Sequence, residues 1–245
     1  MCVKVETMLP FLNLNPLAPG DDASGEIVDA QIIVPDAPYH IDGLYLTRSN
    51  LSTSDGSRIE DLGLFTSAPI PSGTLIGFYT GFFMEDSVYD ALSGSVKRAL
   101  GRYAVSSEDK TISPIDPGHP ESGVDFMRHP MAASNEPAKS GNNSMANMFA
   151  ETRVLDTGDA QFECVCMFAC RSIPAEVELV WTYGDAYDRV GYENGADCPK
   201  PSVLEDPFPM FSATRSQAQG FFKFVAAEVP ESSDDGSGSD DDFVP

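Results

Sequence analysis

No apolar run in this chain approaches the roughly 20 residues that a membrane-spanning helix needs, and the first ten residues lack a basic stretch with a long apolar one behind it. A soluble, intracellular protein without membrane contact is expected. Basic residues are scarce: 15 Lys and Arg stand against 38 Asp and Glu, a formal net charge of -23. Neutralising phosphates takes basic residues in patches, so direct nucleic-acid binding is not expected, and a basic protein or peptide is the better partner. The three histidines, His40, His119 and His129, have neither metal-ligand nor triad spacing and read as loop residues; no metal site is expected. The five cysteines, Cys2, Cys164, Cys166, Cys170 and Cys198, are too few and too irregular for a disulfide framework. They read as reduced thiols, with Cys164, Cys166 and Cys170 sharing one face of a strand as small core residues.

What the chain does have is turn chemistry and short β-prone runs. Twenty Gly and 19 Pro punctuate the runs Leu44 to Thr47, Gly63 to Ser67, Thr74 to Phe83, Tyr103 to Ser106, Gln161 to Arg171 and Glu178 to Tyr183. This predicts a mostly β, β-rich α+β domain of several small sheets. Val88, Leu92, Val96 and Leu100 recur at helical intervals within 85–101 and predict one short helix there. Residues 1–38 read as an N-terminal extension with a possible added strand over Ala30 to Val34. Residues 39–192 form the domain, and 193–230 a C-terminal extension packing on or near the active site, irregular as far as Phe211. Residues 231–245 read as a disordered acidic tail. Two stretches echo each other: Ala68 to Leu75 and Arg171 to Leu179 both read as strand, Ile-Pro turn, strand.

Four ordered segments then carry a resemblance. The first is Asp61-Leu62-Gly63-Leu64-Phe65 with Ile70-Pro71-Ser72-Gly73 and Gly77-Phe78-Tyr79-Thr80-Gly81. The second is Tyr103-Ala104-Val105 with Ile112 to Asp116, the third Ser134-Asn135-Glu136-Pro137 with Asn147, and the fourth Val180-Trp181-Thr182-Tyr183-Gly184-Asp185. Together they resemble the SET-domain protein-lysine methyltransferases over about residues 40 to 190, in a small stand-alone form without cysteine-rich zinc flanks. Asp61 stands where that family has the first glycine of its Gly-x-Gly strand.

The resemblance implies a SET-type fold of small curved sheets with a C-terminal pseudoknot, and methyl transfer from S-adenosyl-L-methionine to a lysine amine in a protein, a histone tail among the candidates. It gives Tyr183 the place of the active-site tyrosine and Tyr79 that of the second channel tyrosine. Trp181 takes the position that helps decide how many methyl groups fit; its bulk predicts a narrow channel. For the cofactor it implies backbone contacts from Leu62, Gly63 and Leu64, a side-chain contact from Asn135, main-chain contacts from Glu136, and lining by Tyr103 and Tyr183. A catalytically inactive SET-fold acidic interaction module is the alternative.

Overall fold

The β-prone runs become strands of two to nine residues in the computed structural model, which describes residues 31–32, 40–52, 61–107, 110–139, 145–156, 158, 161–183, 195–217 and 222–225. One antiparallel sheet orders β1 (Gln31–Ile32), β2 (Leu44–Arg48), β3 (Leu62–Thr66) and β10 (Val177–Glu178). A second sheet sets β4 (Leu75–Tyr79) beside β9 (Gln161–Ala169) and then β8 (Met148–Asp156). The third runs β11 (Phe222–Val225), β5 (Gly81–Glu85), β7 (Lys110–Ser113), β6 (Val105–Ser107), with β11 parallel to β5. The fold is therefore strand-rich, with small sheets and few helices. The acidic tail at 231–245 and residues 1–30 lie outside the described residues, as do Gly184 and Asp185; among those described, no helix is long and apolar enough to cross a membrane.

Several expectations are corrected. The run Thr74 to Phe83 is two strands, because the chain changes sheets at Gly81 (φ 152°), where any Cβ would collide with the Ser113 carbonyl. The single helix at 85–101 is two, α1 (Asp86–Ala91) and α2 (Gly94–Leu100): Leu92 is extended, and Ser93 caps α2 by accepting from the Val96 amide at 3.5 Å. The periodicity was still meaningful, since Val88, Leu92 and Val96 pack around Met84, Leu100 and Ile115. Tyr103 precedes β6 and is not in a strand. Strand β8 was not foreseen; its outer residues are half-exposed, and Glu151 there pairs with Lys200 at 2.9 Å and with Arg153. Cys170 is disulfide-bonded to Cys198, with Cα atoms 6.1 Å apart, so those two are not reduced thiols. Cys164 and Cys166 are free and buried; burial pushes the Cys166 thiol up to about 12 and raises Cys164 as well.

The stretch expected to be irregular as far as Phe211 ends inside a helix, α3 (Phe208–Gln217). Phe211 packs against Phe78 and Phe162, with ring centroids 6.1 and 5.4 Å away. These rings share one face of the β4–β9 sheet with Leu75, Cys164, Cys166 and Phe168. The opposite face carries Ile76, Tyr79, Val165, Met167 and Ala169. The described part of the C-terminal extension around α3 thus covers the face away from Tyr79. A bulge between Leu75 and Gly77 decides which residue faces where: Leu75 pairs Phe168 while Gly77 pairs Met167. Without it, the period of two would send Tyr79 to the side of Leu75; the extra residue flips the phase and puts Tyr79 beside Ile76.

The sequence echo is a structural one. Ile70 and Ile173 exchange both backbone hydrogen bonds at 2.8 Å, and the amides of Gly73 and Glu176 donate to Ala169 and Thr66 respectively, each at 2.7 Å. The Leu75–Phe168 pair is matched by Glu178–Phe65. Two strand–turn–strand units are therefore related by a local pseudo-twofold through the isoleucines. Both turns need a left-handed fourth residue, Gly73 at φ 84° and Glu176 at φ 62°. The surroundings differ: a Cβ on Gly73 would collide with the Val203 carbonyl, whereas Glu176 is exposed and accepts from the Tyr45 hydroxyl at 2.6 Å. Gly73→Ala is expected to lose about 2 kcal/mol or more of stability, and Glu176→Gly to stay within about 1 kcal/mol of wild type. Urea unfolding midpoints measure both, and equal effects would contradict the asymmetry.

Candidate active site

The site is organised by the grip on residues 178–181. On one side the Trp181 amide donates to the Asn135 carbonyl at 3.0 Å, with Asn135 and Val180 bridged in parallel. On the other, the amides of Asn147 and Met148 donate to the Val180 carbonyl at 3.0 and 3.1 Å. The Asn147 carboxamide completes this grip, donating to the Glu178 carbonyl at 2.7 Å and accepting from the Val180 amide at 2.9 Å. Outside it, the Gly195 amide donates to Pro137, and the Ala146 amide to Ala196 at 3.0 Å. Residues 178–181 are thus held between Asn135 on one side and Asn147 and Met148 on the other.

This grip brings the expected aromatic residues together. Trp181 lies between Tyr79 and Tyr183, its ring centroid 6.3 and 5.3 Å from theirs. Trp181 Nε1 and Tyr183 Oη both donate to the Ser134 carbonyl, at 3.3 and 3.1 Å. The Tyr183 amide donates to Glu136 Oε1 at 2.7 Å. Tyr79 donates its hydroxyl to the Tyr103 carbonyl, and Tyr103 itself packs edge-on against Phe126 at 5.8 Å. Burial holds the Tyr79 phenol well above its ordinary pKa, so it keeps its proton. Tyr79 and Trp181 are buried, and Tyr183 is half-buried, the least buried residue of the three.

The strand Leu62, Gly63, Leu64 lies between β2 and the returning chain. The Leu62 carbonyl accepts from Asn135 Nδ2 at 2.9 Å, and the Leu64 carbonyl from the Leu179 amide at 2.7 Å. Asp61 does not take a positive φ, since Glu176 is the only non-glycine residue to do so among those described; its carboxylate accepts from the Leu62 amide at 2.8 Å. A glycine is needed at position 63 for another reason: a Cβ there would lie 2.5 Å from Glu178 Oε1.

Two participants, Ser134 and Glu178, were not singled out from the sequence, and a third, Glu136, was expected to contribute only main-chain contacts. The Ser134 carbonyl carries no sequence signal. Glu136 turns its side chain, and not only its backbone, into the site. Glu178 did leave a trace, a carboxylate inside the apolar run Val177 to Trp181, which must find donors if it is buried. His40 is also not a loop bystander: it is buried, bridges Gly77, and burial lowers its pKa. His129 meets the buried Thr80 hydroxyl at 2.9 Å.

The SET domain family matches residues 61–184. No curated protein matches the chain. Among solved structures it is similar to the Neurospora SET domain protein DIM-5, a histone lysine methyltransferase, at 18% identity over 53% of this chain and 50% of that one, with a TM-score of 0.38. It is also similar to a Plasmodium falciparum candidate histone methyltransferase, at 15% identity over 60% of this chain and 98% of that one, with a TM-score of 0.37. The chain spans about half the length of the Neurospora chain. The family match covers half of the 245 residues and runs from the start of β3, through both turns, to just past Tyr183; the chain belongs to the SET-domain family.

Proposed function

We propose that this protein transfers a methyl group from S-adenosyl-L-methionine to a lysine amine of a basic protein or peptide, with a histone tail as the first substrate to try. The observation that carries the reading is the Tyr183 phenol: it belongs to the least buried residue of the ring cluster and donates to the Ser134 carbonyl next to Asn135. The fit to the cofactor rests on Asn135. Its Nδ2 lies between two acceptors, the Leu62 carbonyl and Glu178 Oε1, which fixes the orientation of the amide. Asn135 is half-buried, and its Oδ1 accepts no hydrogen bond among the described residues and suits an ammonium donor. Asn135, with the backbone of Leu62 to Leu64 and Glu136, would hold the cofactor, with Tyr103 and Tyr183 lining it. When bound, that group supplies a methyl carbon on a sulfonium.

The rest falls to the chain. Lysine has a pKa near 10.4 and attacks only when neutral; a wall of Tyr79, Trp181 and Tyr183 would desolvate it and favour the neutral form. The ammonium must first lose a proton to water; the nitrogen lone pair would then take the methyl carbon of bound S-adenosyl-L-methionine, the C–S bond breaking with its electron pair left on the thioether sulfur. Tyr79 holds its own proton, and Glu136 is engaged by the Tyr183 amide, so neither serves as the base. What remains is alignment and exclusion of water, which suffices for an in-line displacement. The excess of 38 acidic over 15 basic residues favours a cationic substrate and also the second reading, an inactive acidic interaction module. Methyl transfer to a histone mixture separates them, since the module reading predicts none, and titration calorimetry with S-adenosyl-L-methionine tests the cofactor binding that the methyltransferase reading requires. Mass spectrometry of the product on wild type and Trp181→Phe tests the channel. Wild type is expected to stop at one or two methyl groups and the variant to move toward three; trimethyl-lysine from wild type would end the narrow-channel expectation.

A further inference from the structure

Glu178 is 1% exposed. Among the described residues its carboxylate is met only by neutral donors: Ser49 Oγ at 2.7 Å and Asn135 Nδ2 at 3.0 Å on Oε1, and the Asn50 amide at 2.9 Å on Oε2. No Lys or Arg pairs with it among the described residues. Burying a carboxylate without a cation is expensive, and a well-packed apolar side chain in its place would be cheaper for stability. Room has nevertheless been left for it by the missing Cβ of Gly63, and its backbone carbonyl is fixed by Asn147. What an apolar residue there could not do is hold Nδ2 of Asn135. With Nδ2 drawn to Glu178 and to the Leu62 carbonyl, the carboxamide has one orientation, and Oδ1 is turned away from the carboxylate.

We propose that Glu178 is a positioning residue: it orients the carboxamide of Asn135, and through it sets the affinity for the cofactor, with the end of β2 at Ser49 and Asn50 bracing the carboxylate. This rests on the methyltransferase reading and names no contact between Glu178 and the ligand. In Glu178→Gln one oxygen becomes an NH2 group, so three donors face a single acceptor, and Asn135 keeps only the Leu62 carbonyl to orient it.

The test is a double-mutant cycle read by calorimetry with S-adenosyl-L-methionine on the full chain: wild type, Glu178→Gln, Asn135→Ala and the double variant. Glu178→Gln is expected to weaken binding about tenfold in the wild-type background, the size of one charge-assisted hydrogen bond, and less than about twofold once Asn135 is alanine. A purely structural role would give the same loss in both backgrounds, and that additive result overturns the inference, as does unchanged affinity in Glu178→Gln. Ser49→Ala guards against misfolding of the first variant; it keeps the carboxylate and Asn135 and is expected to weaken binding about threefold, an intermediate loss for one neutral hydrogen bond removed a step away. If Glu178→Gln does not fold, unchanged affinity in Ser49→Ala overturns the proposal. Failure of the wild type to bind overturns the functional reading and this inference with it, whereas binding by the wild type without coupling overturns this inference alone.

Discussion

Tyr183→Phe is expected to lower methyl transfer to a histone mixture at least about tenfold, the effect of losing one aligned hydrogen bond of about 1.4 kcal/mol in the transition state. The substitution isolates the hydroxyl. The ring keeps its edge contact with Trp181 at 5.3 Å, the amide keeps Glu136, and the Ser134 carbonyl still accepts from Trp181 Nε1. Stability should change by less than about 1 kcal/mol, because the lost bond is half-exposed and its acceptor retains a partner. Methyl transfer measured beside a thermal melt distinguishes the two effects; a cleanly folded variant with full activity would remove Tyr183 from its role.

The largest loss of stability is expected at Asn147→Ala, about 3 kcal/mol. Asn147 is 1% exposed, and its carboxamide satisfies the Glu178 carbonyl and the Val180 amide. Alanine would leave both groups buried without partners, at about 1 to 3 kcal/mol each before relaxation. Against the 5 to 15 kcal/mol that typically holds a domain together, that is a substantial fraction. Urea unfolding provides the number, and a loss under about 1 kcal/mol would mean that Asn147 does not lock residues 178–181 in place. Binding of S-adenosyl-L-methionine should weaken in parallel, because the lock also fixes the backbone of Glu178.

Much of the candidate site's arrangement was legible because its parts are local in sequence. Ser134 to Pro137, Asn147 and Trp181 to Tyr183 are short signatures, and the structure brings all three together. The repeated Ile-Pro turn was legible for the same reason, since proline and a left-handed fourth residue are local demands. The parts that were missed depend on long-range geometry. Gly77 inside the strand Leu75 to Tyr79 hints at a bulge, but not at its consequence, that Tyr79 and not Phe78 faces Trp181. Cys170 and Cys198 are 28 residues apart, and no spacing rule pairs them. The break between α1 and α2 was available in Ser93, a capping residue inside a helical pattern, and periodicity outweighed it. Strand β8 hid because its sequence alternates weakly, as an edge strand half in solvent can afford to.

The pairing of β3 with β10 and of β4 with β9 also sets an order of events during synthesis. Leu62 to Tyr79 leave the ribosome about a hundred residues before Val165 to Trp181, the segments that cover them. At about 5 to 20 residues per second, two apolar strands wait on the order of 5 to 20 seconds with open edges. Such edges invite pairing with other chains. A nascent chain of this protein therefore depends on protection until residue 181 has emerged, and a fragment ending before that point should aggregate rather than fold.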